Sequence, residues 1–137
     1  MKIRIITISA LMALFTMSCS ETSSHENHSD ETTIELNESE KWVVNEEMTP
    51  FIENAENILN QYDNADYKNL AEQLSEQNQS LINSCTMDGK SHDELHKWLH
   101  PHLELVKALG KAENEEKANE TISELKNSFE TYHTYFQ

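Results

Sequence analysis

Between Trp42 and Phe136, apolar residues recur every three or four positions in four stretches separated by short polar breaks. That period predicts amphipathic helices. The first stripe is Trp42, Met48, Phe51, Ile52, Ala55, Leu59 and Tyr62, and predicts a helix from Ser39 or Asn45 to Tyr62. Pro50 is compatible with a first turn, where an amide lacks a partner anyway. Asp63 and Asn64 break the chain and cap the next segment. A second helix is expected from Ala65 to Cys85, with Tyr67, Leu70, Leu74, Leu81 and Cys85 on one face and polar Gln77 and Asn78 interrupting it. Met87-Asp88-Gly89-Lys90 reads as a turn. Ser91 with Glu94 has the form of a capping box opening a third helix that carries Leu95, Leu99, Leu103, Val106 and Leu109, with a break or kink at Pro101 and a stop at Gly110. The fourth helix, Asn114 to Phe136, places Ala118, Ile122, Leu125, Phe129, Tyr132 and Phe136 at coiled-coil-like spacing. Four such helices joined by short turns predict an all-α, up-down-up-down four-helix bundle over residues 41–137.

Composition agrees. The chain has only two glycines and two prolines, and Val and Ile are sparse. Residues 20–40 are rich in Ser, Thr, Glu, Asn and His, too polar to offset ordering entropy, and are expected to form a flexible tether. His25 and His28 fall within it and read as solvated side chains.

The first residues change the compartment. Lys2 and Arg4 precede an apolar run from Ile5 to Met17 that is too short to span a bilayer comfortably, and Ser18-Cys19 comes next. This describes a secretory signal. With cysteine at the boundary, residues 1–19 resemble a bacterial lipoprotein signal peptide, although Thr16 stands where an aliphatic residue is usual. The resemblance implies lipid on Cys19, attachment to a bacterial membrane, and a domain in the periplasm or at the cell surface. Losing Lys2 and Arg4 would lower the formal net charge of −15 by two further units. A chain so acidic repels nucleic acid and attracts cations. With Cys19 lipidated, Cys85 is the remaining thiol. In an exported protein an odd cysteine is a metal ligand, a reactive thiol or half of an intermolecular disulfide; the alternative is a small buried hydrophobe.

Candidate chemistry is concentrated around that thiol. Cys85, Met87, His92 and His96 flank one turn, and the two histidines, four apart, share a helix face. Thiolate, thioether and imidazole suit copper or zinc. In an up-down bundle the start of helix one, the turn between helices two and three, and the end of helix four share one end. Met48, Cys85, Met87, His92, His96 and His133 are therefore expected there, although helices of this length span about 30 Å. Met48 can equally be core filler and His133 a half-buried hydrogen-bonding group. His100, four beyond His96, and His102, beside Pro101, read as surface groups of secondary interest. No carboxylate pair or nucleophile–base set stands out, so an enzyme is not expected. The leading expectation is a copper-binding module with Cys85, His92 and His96 as ligands and Met87 or Met48 as a weaker thioether. Zinc with Cys-His-His and water is also possible. Proton competition should weaken binding near the ordinary imidazole pKa of ~6.5.

Two resemblances bear on this. Glu124–Phe136, ending Tyr-His-Thr-Tyr-Phe, is similar to the last helix of cytochrome b562, and Asn45-Glu46-Glu47-Met48 resembles the segment supplying that family's other axial ligand. The resemblance implies a four-helix bundle binding haem b through Met48 and His133, for electron transfer. The departures are histidines where that family has an apolar pocket, and a chain whose only arginine is Arg4. There is no Cys-x-x-Cys-His for covalent haem. The stretch from Cys85 to His96 also looks like small bacterial lipoproteins associated with heavy-metal handling. A third possibility is a structural or partner-binding lipoprotein without metal.

Overall fold

Proline cannot donate an amide hydrogen bond, and Pro50 lies in the first turn of the first helix, α1, Thr49–Asn60. The computed structural model describes residues 33–63 and 65–137. Three helices come after it: α2 (Tyr67–Ser84), α3 (Gly89–Lys111) and α4 (Glu115–Tyr135). Each packs on its successor, and α4 returns to α1. The arrangement is an all-α four-helix bundle of the up-down type. Residues 1–32, with the signal segment, Cys19, His25 and His28, lie outside the described residues, as does Asn64.

Most of the stripes read from the sequence are core, with Phe51, Tyr62, Tyr67, Cys85 and Leu103 only partly buried and Trp98 and Val44 added. Ile52, Ala55 and Leu59 of α1, Leu70, Leu74 and Leu81 of α2, and Leu95, Leu99, Val106 and Leu109 of α3 are buried against Ala118, Ile122, Leu125, Phe129 and Tyr132 of α4. The polar interruption in α2 resolves into a buried Asn78.

Helix boundaries differ where hydrogen bonds outside the helical ladder decide them. Trp42 is not helical. Residues 42–44 run parallel to the C-terminus: the Trp42 amide donates to Tyr135 O at 2.8 Å, Val44 N–H to Gln137 O at 2.9 Å and Gln137 N–H to Trp42 O at 2.9 Å. Trp42 and Val44 are buried while Val43 between them is exposed, the two-residue alternation of extended chain. Trp42 is apolar and buried as expected, but it follows the period of extended chain rather than that of a helix. The cap of α2 is Asp66, whose carboxylate accepts from the amides of Lys68 and Asn69, both at 3.1 Å; Asp63 holds only the preceding turn, accepting from Ala65 N–H.

The Ser91/Glu94 capping box does not form. The N-cap of α3 is Asp88, without a side-chain cap bond, and Gly89 at φ +62° turns the chain into the helix. Glu94 instead faces the segment before Trp42. Its buried carboxylate accepts from the Glu35 amide at 2.8 Å and from Lys97 Nζ at 2.9 Å. Lys97 also donates to Thr33 O, and Lys90 pairs with Glu35. Within the segment expected to be a tether, Thr33 and Glu35 thus bond to α3.

Helix α3 runs through Pro101, and Gly110 does not stop it; the cap falls at Ala112. A β-carbon on Gly110 would sit 3.5 Å from Ala71 Cβ, an ordinary contact. Gly110→Ala should therefore stabilise the bundle by about 0.5–1 kcal/mol through reduced unfolded-state entropy. Urea unfolding checks this, and a lower midpoint would mean that α2 and α3 need closer approach there. Among the described residues, no helix is long and apolar enough to cross a membrane.

Candidate metal centre

Three segments build the pocket. The first is the turn before α1. Met48 N–H donates to Asn45 O at 2.9 Å, and Asn45 then reaches the second turn of the bundle. Its Nδ2 donates to Ser84 O, and its Oδ1 accepts from the Thr86 amide, each at 3.3 Å. These two bonds straddle Cys85 and bring Met48 to it. The second segment is the end of α2, where Cys85 is the C-cap in extended conformation, half-buried, with a free thiol. The third is α3, which presents His92, His96 and His100 at four-residue spacing.

Together these line a pocket of about 320 Å³. Its wall contains Met48, Cys85, Met87, His92, His96 and His100, over an apolar bed of Ile82, Leu95, Leu99 and Leu103. Met48 is fully buried, His92 and His96 are half-buried, and His100 is exposed. Cys85 and Met87 are half-buried as well, so the Met48 thioether is the innermost donor and His100 the outermost.

The imidazoles form a ladder. His96 Nε2 lies 3.0 Å from His92 Nε2, and His96 Nδ1 lies 2.8 Å from His100 Nε2. The rings of His92 and His96 meet edge to face, with centroids 4.3 Å apart. A neutral His96 carries one proton, so it donates to one neighbour and accepts from the other. Burial, and then the adjacent His92 and His100, lower the His96 pKa below the usual imidazole value, against a smaller opposing effect of Asp93. The neutral form, which has the lone pair a metal needs, is thereby favoured.

Two ring nitrogens bound to one tetrahedral ion at 2.0–2.1 Å lie about 3.3 Å apart. The His92–His96 separation of 3.0 Å is close to that. The linear order of the ladder means that nitrogens meet in pairs. Among the described residues, no group of three or more His, Cys, Asp or Glu side chains is gathered so as to hold a metal ion in this conformation.

His133 is not part of this wall. It is exposed on α4, where its Nε2 pairs with Glu56 Oε2 of α1 at 2.9 Å. Five of the six donors expected at one end thus share this wall, whereas His133, in the last turn of α4, pairs with Glu56. His102, expected at the surface, is instead buried in the core. It stacks on Trp98, meets Phe129 edge-on, and pairs through Nδ1 with Ser128 Oγ at 3.0 Å. His100, of secondary interest in the sequence, is the third rung; its i+4 spacing from His96 was the signal. Asn45, which sets the Met48–Cys85 juxtaposition, carried no signal, because its partners are backbone atoms about forty residues away. Comparison with known proteins finds no matching family model, curated protein or solved structure.

Proposed function

We propose that this chain is a non-enzymatic copper-binding module, held at a bacterial membrane by lipid on Cys19 and exposed outside the cytoplasm. The observation that carries the reading is one pocket lined by a thiol, two thioethers and three imidazoles drawn from three separate segments. Hard cations such as magnesium and calcium prefer oxygen donors. Sulfur with imidazole selects copper or zinc, and two thioethers tilt the choice toward Cu(I). Cys85, His92 and His96 are the proposed ligands, with Met87 or Met48 completing the set. The net charge of −15 adds a general attraction for cations.

The test is a titration of Cu(I), Cu(II) and Zn(II) into the full chain bearing Cys19→Ser, kept reduced, so that Cys85 is the only thiol. Cys85→Ser, His92→Ala and His96→Ala are then compared in that background, with helicity monitored by circular dichroism. The expected result is Cu(I) binding that weakens in each variant while helicity stays intact. Equal affinities in all four proteins would refute the site. Membrane anchoring is tested separately by metabolic lipid labelling of the wild-type chain; label retained in Cys19→Ser would refute lipidation there.

A further inference from the structure

Resting on the copper reading above, we propose that His100 and the Nδ1 face of His96 form an outer loading station, from which copper passes to an inner station at His92 Nε2 and His96 Nε2.

The geometry supplies two nitrogen pairs that share one ring. The outer pair is His96 Nδ1 with His100 Nε2 at 2.8 Å; the inner pair is His96 Nε2 with His92 Nε2 at 3.0 Å. A neutral imidazole has one lone pair for a metal and one N–H, so His96 serves one pair at a time. With copper in the outer pair, the His96 proton sits on Nε2 and is donated to His92. With copper in the inner pair, it sits on Nδ1 and is donated to His100. Transfer inward therefore breaks two copper–nitrogen bonds and forms two, while one proton moves from Nε2 to Nδ1 of His96. Copper keeps its oxidation state, and net charge is unchanged. In both states the ligating His96 donates its other N–H to an imidazole, the arrangement that orients metal-bound histidines.

Exposure gives the path its direction. His100 is exposed at the rim, His96 is half-buried, and the thioether of Met48 beyond them has no solvent contact. An ion arriving from water meets His100 first, the half-buried Cys85 and Met87 share the pocket with His92 and His96, and the Met48 thioether, a donor suited to Cu(I), lies furthest in.

The experiment separates loading from holding. His100→Gln keeps a hydrogen-bond acceptor for His96 Nδ1–H and removes the outer ligand. Stopped-flow transfer of Cu(I) from a chromophoric chelator to the full chain bearing Cys19→Ser is compared with the same chain bearing His100→Gln, alongside equilibrium affinities. We expect affinity within about threefold of the parent and loading slowed by roughly tenfold or more. Unchanged loading would overturn the station, as would a loss of affinity as large as that of His96→Ala, which would make His100 an ordinary ligand of one site. A parent chain that fails to bind Cu(I) would instead overturn the copper reading itself, so the two failures are distinguishable.

Discussion

Among single substitutions in the pocket, His96→Ala should cost the most copper affinity, well beyond the ~10–100-fold typical of losing an outer-shell partner. The reason is its place in the ladder. His92→Ala leaves the His96–His100 pair intact, and removal of His100 leaves the His92–His96 pair. His96→Ala removes a nitrogen from both pairs and leaves two imidazoles eight residues apart. At 1.5 Å per residue their helix positions are about 12 Å apart, too far for one ion to bridge without gross rearrangement. Copper would then depend on Cys85 and the two thioethers with at most one imidazole. Cu(I) tolerates such a soft set better than Cu(II), so the loss should be larger for Cu(II). Competition titrations of both oxidation states against chelators of known affinity measure this. A His92→Ala chain that loses as much as His96→Ala would show that the outer pair cannot hold copper by itself. The fold should not suffer, because His96 is only half-buried and the bundle rests on Leu74, Leu81, Leu95 and their neighbours.

The same local arithmetic explains what was legible in the chain. Periodicity of three and four placed all four helices, because each stripe buries a continuous face and no competing pattern crosses it. It also placed the donors: a short turn between α2 and α3 forces Cys85 and His92 to one end whatever the details. Trp42 was lost to the first stripe because a single tryptophan carries no period. Its true partners, Tyr135 and Gln137, are nearly a hundred residues away and bond through backbone atoms that look alike in every sequence. Ser91 and Glu94 satisfy the capping-box pattern, yet the Glu94 carboxylate accepts from the Glu35 amide and Lys97 and not from its own helix start. Gly110 looked like a stop because glycine usually ends helices. Here its missing side chain faces Ala71 of α2 and the helix simply continues. His102 escaped for a related reason. An imidazole beside Pro101 looks like a surface group until Trp98, Phe129 and Ser128 close over it.

That burial makes the bundle sensitive to acid. His102 Nδ1 pairs with Ser128 Oγ, its ring lies between Trp98 and Phe129, and its Nε2 is enclosed without a partner. Burial alone pulls its pKa from the usual 6.5 down to about 4. Above pH 6.5 the ring is neutral in both the folded and the unfolded chain, so it introduces no pH dependence. As pH falls through 6.5, the unfolded chain takes up a proton that the folded chain refuses, and stability declines. Below about pH 4 the folded chain binds it too, and the loss levels off. Over that window the depression corresponds to about 3 kcal/mol, a large share of the roughly 5–15 kcal/mol that holds a domain together. His102→Phe removes the titrating group and keeps an aromatic ring between Trp98 and Phe129. It gives up the Ser128 bond but also the unpartnered Nε2, so at pH 7 the variant should lie within about 1.5 kcal/mol of the parent. By pH 4.5 it should be the more stable protein. His96, also depressed, and Glu94, whose pKa is lowered by the Glu35 amide and Lys97 against its burial, titrate in both proteins and cancel in the comparison. Urea unfolding from pH 7 to pH 4 measures the two curves. If they run parallel, protonation of His102 is not what acid does to this fold.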